Sequence, residues 1–258
     1  MQVRSIISDC EALLGNAGGI YLSHETRGRI VNSTISHSRA YLSAGCVWLL
    51  GDVEIENTEI SHCRAETSAD QPDLRTAGCG LIGGVLNMTS SNVTDCFAQG
   101  NGGALLLSTG SAATLTSVRI TDSQTQASGG GLYVDVGASI TMTASNISNC
   151  TSWSNGGAIC FFGSTLALVD STVATCSAQS GGGFFAPSSN VHMSATFTNT
   201  LVTGCSASTR GGGIAASAGS VLLQAKTLIL GNVAPIAPSI SAEGAIVTYA
   251  LPAPRGRW

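Results

Sequence analysis

Charged side chains are scarce in this sequence: they make up 10% of its 258 residues, and the formal net charge is −4. With only eleven Lys and Arg, no basic stripe can form, which argues against nucleic acid as a partner because phosphate binding needs clustered cations. No apolar run is long enough to span a bilayer, so direct membrane insertion is not expected. The start of the chain lacks the basic, apolar and small-residue order of a signal peptide.

Two kinds of metal site also lack their sequence signatures. None of the nine Cys stands in a C-x-x-C spacing, and we expect neither a zinc site nor any other metal or cofactor. The Gly-Gly-x-Gly-x-Asp pattern of calcium-binding nonapeptide repeats is missing as well. The chain has instead 32 Gly and 43% hydrophobic residues. This composition supplies enough apolar side chains for a core and carries too little charge for a disordered chain.

A tetrad that begins with Ile or Val and ends with Cys, Ser or Asn recurs along the chain at intervals of about 27 residues. Its nine copies are Ile7–Cys10, Ile35–Ser38, Ile60–Cys63, Val93–Cys96, Ile120–Ser123, Ile147–Cys150, Val173–Cys176, Val202–Cys205 and Ile229–Asn232. A second motif of small residues leads into an apolar one at the same interval, at Ile20, Val47, Leu81, Leu105, Leu132, Ile159, Phe184 and Ile214. Two independent motifs with one period indicate a solenoid.

The residues between these motifs favour strands over helices. Short alternating runs rich in Val, Ile and Thr, such as Val53–Ile55 and Ile140–Met142, are punctuated by Gly, and each period supplies about three short strands. We predict an all-β fold, a single-stranded right-handed parallel β-helix of about nine rungs over residues 1–233, followed by an irregular tail or linker over residues 234–258. Equivalent residues should stack roughly 4.8 Å apart, with the first and last tetrad positions facing inward.

The glycine motifs resemble those of a known family. Gly102–Leu105 and Gly156–Ile159 look like the Gly-Gly-Ala-Ile signature of the polymorphic outer membrane protein (Pmp) repeat, whose partner motif is Phe-x-x-Asn; here the tetrad stands in its place. The resemblance implies a β-helical surface adhesin or passenger. The ending Tyr249–Trp258 is similar to the junction at which β-helix repeats of large surface proteins run into cysteine-rich, ephrin-receptor-like modules. That second resemblance implies a larger parent chain.

Six of the nine Cys occupy the last tetrad position, where they can serve as small apolar core fillers interchangeable with Ser. Disulfides between adjacent rungs are the alternative, because the rung spacing lies within the range of Cα separations that a disulfide spans. Cys46 and Cys79 lie near the glycine corners of neighbouring rungs and are the best candidates for such a bond. A disulfide would imply an oxidising compartment. Five Asn-x-Ser/Thr sequons, at Asn32, Asn87, Asn92, Asn146 and Asn149, are compatible with the same location.

An outward apolar column is expected on the strand after each glycine corner, because alternate residues of a strand point to opposite faces. It comprises Tyr21, Trp48, Ile82, Leu106, Tyr133, Cys160, Phe185 and Ala215. We name Tyr21, Trp48, Tyr133 and Phe185 the aromatic stripe and predict that it binds a glycan or a surface protein. The alternatives are that a neighbouring segment covers the stripe, or that the register is wrong by one residue.

A polar column precedes the last tetrad position and includes His37, His62, Asp95 and Asp122. Asp95 and Asp122 should lie on adjacent rungs, near the roughly 5 Å carboxylate separation of retaining glycosidases. The alternative function is therefore a polysaccharide lyase or hydrolase of the pectate-lyase-like β-helix class. The Asp-Asp, Gly-His-Gly and Arg-x-Lys motifs that mark pectin-hydrolysing β-helices do not occur. A solvated corner is the simpler interpretation, and we expect a non-catalytic extracellular or cell-surface protein, either an adhesin or a rigid display scaffold.

Overall fold

The computed structural model describes residues 5–13, 15–66, 76–188 and 192–250. Every element in these ranges is a β-strand. No helix in them is long and apolar enough to cross a membrane. Residues 251–258, which contain most of the segment that resembles the junction to ephrin-receptor-like modules, lie outside the described residues.

The strands form four parallel sheets, named I to IV in the order in which one coil of the chain meets them. Sheet I contains β1 Ile6–Ser8, β5 Thr34–Ser36, β9 Glu59–Ser61, β13 Asn92–Thr94, β17 Arg119–Thr121, β21 Asn146–Ser148, β25 Thr172–Ala174, β29 Leu201–Thr203 and β33 Leu228–Leu230. Sheet II contains β2 Glu11–Ala12, β6 Arg39–Ala40, β10 Arg64–Ala65, β14 Phe97–Ala98, β18 Gln124–Thr125, β22 Thr151–Ser152, β26 Ser177–Ser180 and β30 Ser206–Arg210.

The other two sheets complete each coil. Sheet III contains β3 Ile20–Leu22, β7 Val47–Leu49, β11 Gly80–Ile82, β15 Leu105–Leu107, β19 Leu132–Val134, β23 Ile159–Phe161, β27 Phe184–Ala186, β31 Ile214–Ala216 and β34 Ile240–Ala242. Sheet IV contains β4 Arg27–Val31, β8 Asp52–Glu56, β12 Val85–Thr89, β16 Ala112–Thr116, β20 Ser139–Thr143, β24 Thr165–Val169, β28 Ser194–Thr198, β32 Ser220–Gln224 and β35 Ile246–Ala250.

The all-β right-handed solenoid of about nine turns is confirmed. The tetrad residues pair in register from rung to rung, for example Ile7 with Ile35 and Val93 with Ile120. One coil has four strands rather than the three predicted from the sequence. The additional strand, in sheet II, has only two residues in most rungs, which is too short to produce a recognisable alternation in the sequence.

One apolar core runs the length of the solenoid. Strand β8 shows how it is built: Val53 and Ile55 are buried, whereas Asp52, Glu54 and Glu56 are exposed. The last tetrad position also faces inward, as predicted, since Cys63, Cys96 and the later members of its column are buried. Each rung contributes only a few side chains to this core, so neighbouring rungs must stabilise one another.

The irregular tail expected from residue 234 is wrong for the described part of that segment. Strand β34 pairs with β31, and β35 pairs with β32, both in parallel register. Two prolines, Pro235 and Pro238, obscured this last coil in the sequence. Pro238 joins the backbone pairing through its carbonyl, which accepts a hydrogen bond from the Gly213 amide at 2.9 Å. Proline lacks an N–H but keeps this acceptor, so it is compatible with the coil.

The predicted register is off by one residue in β11. Ile82 was expected to face outward, but it lies in the main core, and Leu81 packs outside it. Gly80 pairs with Val47 and takes the inward position where the sequence suggested Leu81. A Cβ atom at Gly80 would come within 2.8 Å of the Leu105 side chain, which explains why glycine occupies this crowded place.

Candidate functional site

The predicted polar residues form one column along the corner between sheets I and II, here called the ladder. The imidazole rings of His37 and His62 stack with centroids 4.6 Å apart and planes 5° from parallel. The next contact is between His62 Nε2 and Asp95 Oδ2, at 3.2 Å. Further along the axis, Asn149 Nδ2 donates to Asp122 Oδ1 at 3.3 Å. The structure therefore brings all four predicted residues to one exposed edge, one residue in each rung.

The backbone explains which residue types occupy this ladder. Each rung turns there through the left-handed region, with φ near 52° at His37, 55° at His62, 52° at Asp95 and 55° at Asp122. Outside glycine, Asn, Asp and His are the residues most enriched in that conformation. The polar pattern is thus what the turn requires, and it needs no catalytic explanation.

The ladder does not gather its side chains into a cleft. They are exposed to solvent on successive rungs, and their contacts run along the axis to the next rung. Among the described residues, no group of three His, Cys, Asp or Glu side chains has the geometry to hold a metal ion. The ladder offers a line of hydrogen-bonding groups to a partner that lies along the corner.

The aromatic stripe lies on the outer face of sheet III. Val47 and Leu49 point into the main core, whereas Trp48 between them packs in a separate outer cluster. Tyr21 contacts Trp48 edge to face, with ring centroids 5.2 Å apart. The outward orientation predicted from the alternation of inward and outward residues therefore holds for both Tyr21 and Trp48.

Much of the stripe is covered by its own neighbours. Tyr21 is 48% exposed and Phe185 only 9% exposed, and Trp48 and Tyr133 are half-buried. Small residues from the glycine corners, including Ala44 and Ala77, pack against its first half. The accessible part is therefore its N-terminal end, where Tyr21 is exposed beside Trp48.

The expected disulfide between Cys46 and Cys79 is wrong, although both residues are disulfide-bonded. Cys46 pairs with Cys63, and Cys79 pairs with Cys96. Cys46 and Cys79 do stack in one column, since the Cys46 amide donates to the Cys79 carbonyl at 3.2 Å. Their side chains point across the core instead of along the axis, so each meets the last tetrad residue that follows it in the chain, 17 residues later.

The other five cysteines are free thiols. Cys150, Cys176 and Cys205 are buried in the tetrad column, and the side-chain hydrogen bond with Cys150 is the main cause that raises the pKa of Cys176. Burial raises the pKa of Cys160 to about 12. Cys160 and Cys176 therefore remain protonated at neutral pH and act as packing groups instead of nucleophiles.

The sequence reasoning missed one exposed aromatic residue, Trp153, which follows β22 on the outer face of sheet II. Its side chain is 68% exposed. It stands six residues after the first tetrad position of its rung, as do Tyr41, Gln99, Gln126 and Gln179 in theirs. That constant spacing could have identified the column, but the strands of sheet II are too short to show which of their residues face outward.

Comparison with known protein families places more than half of the chain in one of them. The model described as "Right handed beta helix region" matches residues 81–234. No curated protein and no solved structure matches the chain.

Proposed function

The chain belongs to the right-handed β-helix family, and on that premise we propose that it is a non-catalytic extracellular or cell-surface solenoid that binds a glycan or a protein. Its role would be that of an adhesin or a rigid display scaffold. The observation that carries the proposal is the ladder at the corner of sheets I and II. His37, His62, Asp95 and Asp122 stand one per rung on an exposed edge, and the left-handed φ at each of them accounts for its residue type without a catalytic role.

The two disulfides support the proposed location. Cys46–Cys63 and Cys79–Cys96 lie in consecutive rungs. Disulfides persist in oxidising compartments and are rare in the cytosol of most organisms. Two such bonds are therefore expected in an extracellular or cell-surface protein.

The resemblance to Pmp repeats favours an adhesin over a rigid display scaffold. Gly102–Leu105 and Gly156–Ile159 each open a strand of sheet III, so the motif that carries the resemblance has a structural role in the solenoid. The similarity of Tyr249–Trp258 to the junction before ephrin-receptor-like modules agrees with a place in a larger surface protein.

The accessible end of the aromatic stripe is the proposed contact region. Tyr21 is exposed beside Trp48, and ion pairs cover the neighbouring outer face of sheet IV, where Arg29 lies 3.5 Å from Glu54 and 2.8 Å from Glu56. Aromatic groups bordered by polar side chains are typical of recognition surfaces. Exposed ion pairs add orientation more than affinity.

A binding assay tests the proposal. We expect the protein to bind an immobilised glycan or a cultured cell surface, and Tyr21→Ala to weaken that binding several-fold. Tyr249→Ala is the matched control, because Tyr249 is an exposed tyrosine on the last strand of sheet IV. Polygalacturonate and other plant and bacterial polysaccharides should remain intact after incubation. Cleavage that Asp122→Asn abolishes would reject the proposal and establish the enzyme alternative.

A further inference from the structure

We propose that the outer face of sheet II around Trp153 binds a neutral oligosaccharide and is a second contact region beside the aromatic stripe, an inference that rests on the proposed binding function. The site, here called the Trp153 face, spans three rungs. Its side chains are Gln124, Thr151 and Ser177 in one column and Gln126, Trp153 and Gln179 in the next. None of the six is charged.

Backbone pairing places these residues side by side. Gln124 pairs with Thr151, and Thr151 pairs with Ser177. The Trp153 amide donates to the Thr125 carbonyl at 3.1 Å, which sets Trp153 beside Gln126. On the other side, the Gln179 amide donates to the carbonyl of Ser154, the residue that follows Trp153, where the register between the two rungs shifts. Three rungs cover about 10 Å along the axis, and the two columns lie about 7 Å apart along the strands.

A β-bulge presents the indole ring. Thr151 pairs with Ser177 and Asn155 bridges to Ser180, so four residue steps on one rung face three on the next. An extra residue of this kind bends the strand and re-aims a side chain, and such bulges are common at functional sites. Trp153 lies within the bulge and is 68% exposed. Tryptophan is highly buried on average, so this exposed indole offers apolar surface to a ligand.

The neighbouring groups match the chemistry of sugar hydroxyls. A glutamine amide both donates and accepts hydrogen bonds, as does a sugar hydroxyl. The side chains of Gln124, Gln126 and Gln179 make no hydrogen bond within the part of the chain that the structure describes. Thr151 Oγ1 and Ser177 Oγ lie 3.1 Å apart, which holds these two hydroxyls in place before a ligand arrives.

The combination points to a saccharide in preference to a protein. The C–H face of a pyranose ring can stack on the indole, while the flanking glutamine amides form hydrogen bonds with the hydroxyl groups of the sugar. A protein interface of ordinary size buries about 800 Å² on each partner and relies on several buried anchors, whereas this face offers a single aromatic ring. Because the six side chains carry no charge, a neutral sugar fits better than a uronic acid or a sulfated glycan.

The test uses defined hexasaccharides as probes: β-1,4-linked glucose, β-1,4-linked N-acetylglucosamine, β-1,3-linked glucose and α-1,4-linked galacturonic acid. Calorimetry should detect binding of at least one of the three neutral hexamers, with galacturonic acid bound at least tenfold more weakly. Trp153→Ala should weaken binding at least tenfold, and Gln126→Ala or Gln179→Ala threefold or more. Trp153→Phe, which keeps an aromatic ring, should retain more binding than Trp153→Ala. The far-UV spectrum and melting temperature of each variant verify that it is folded.

The outcomes separate this inference from the proposed function. Tyr249→Ala serves as the matched control and should leave hexamer binding unchanged, because Tyr249 is an exposed aromatic residue on β35 of sheet IV, outside both proposed contact regions. If Tyr21→Ala abolishes binding to a glycan or a cell surface while Trp153→Ala does not, the proposed function stands and the Trp153 face is rejected. If none of the neutral hexamers binds, or if Trp153→Ala weakens only binding to a protein, the saccharide assignment is overturned. Cleavage of a hexamer would reject the non-catalytic function, whatever the effect of Trp153→Ala.

Discussion

The Cα atoms of Cys46 and Cys63 lie 5.6 Å apart across one coil of the solenoid, and a disulfide joins the two side chains. Cys79 and Cys96 repeat this arrangement in the next rung at 5.5 Å. Later rungs keep a cysteine at several tetrad positions, but the opposite position, in register with Cys46, holds Ala104, Gly131, Ala158, Gly183 and Gly213. Where the residue opposite is Ala or Gly, the tetrad cysteine remains a free thiol.

Ala158→Cys should therefore create a third disulfide, with Cys176. Ala158 is fully buried at the position equivalent to Cys79, and Cys176 occupies the position equivalent to Cys96. A loop of this length gains about 3 kcal/mol in the chain-entropy model. Thiol titration of the unfolded, unreduced protein should count one free thiol fewer than the five of the parent, and the melting temperature should rise.

Ala158→Ser is the control for that experiment, because it changes the side-chain volume in the same direction without adding a thiol. It should not raise the melting temperature. A sixth free thiol in Ala158→Cys would show that the two positions do not face each other as Cys79 and Cys96 do.

The ladder corner predicts which substitutions Asp122 tolerates. Its φ of 55° costs a β-branched residue on the order of 1–3 kcal/mol, whereas Asn adopts that conformation readily. Asp122→Val should lower the free energy of unfolding by that amount, and Asp122→Asn should change it by less than about 0.5 kcal/mol. Urea denaturation measures both values. Equal losses in the two variants would mean that the side-chain contacts, not the backbone, decide the residue type.

Gly157 and Gly110 should differ in how much stability an added methyl group costs. A Cβ atom on Gly157 would stand 2.3 Å from the Gly182 carbonyl oxygen and 2.6 Å from the Ser177 amide nitrogen. Gly157→Ala must therefore displace the backbone of the next rung and should cost more than about 3 kcal/mol. Gly110 has a positive φ of 75° but nothing within 4 Å of its added Cβ, so Gly110→Ala should lose only about 1–2 kcal/mol.

Thermal unfolding of the two glycine variants provides the comparison, with a soluble-yield measurement in case Gly157→Ala does not fold. A Gly157→Ala protein as stable as Gly110→Ala would indicate that the rungs can move apart locally.

Buried thiols should resist alkylation in the native protein. Burial raises the pKa of Cys160 to about 12, and the side-chain hydrogen bond with Cys176 is the main cause that raises the pKa of Cys205. Because the thiolate is the reactive form, iodoacetamide at pH 8 should leave both unmodified until denaturant is added. Cys10 is less buried and should react first. Peptide mass spectrometry identifies the modified sites, and early labelling of Cys160 would contradict the covered outer cluster.

Part of the candidate site was accessible to sequence reasoning and part was not. The tetrad spacing placed His37, His62, Asp95 and Asp122 in one column, because a fixed period guarantees that equivalent residues stack. It did not reveal why they are polar, since the left-handed φ at each of them is a property of the folded turn. It also overlooked Trp153, because a two-residue strand and a bulge leave no regular alternation to read.

The sequence by itself determined the period, the strand character and the inward columns, because local alternation and a repeated motif are sufficient to align one rung on the next. Only the tertiary structure decided the partners across the coil. Cys46 meets Cys63 instead of Cys79, Leu81 replaces Ile82 on the outside of β11, and small corner residues cover much of the aromatic stripe. These outcomes depend on the direction in which each side chain points and on which residue of the facing sheet lies opposite it. The spacing of a sequence repeat contains no information about either.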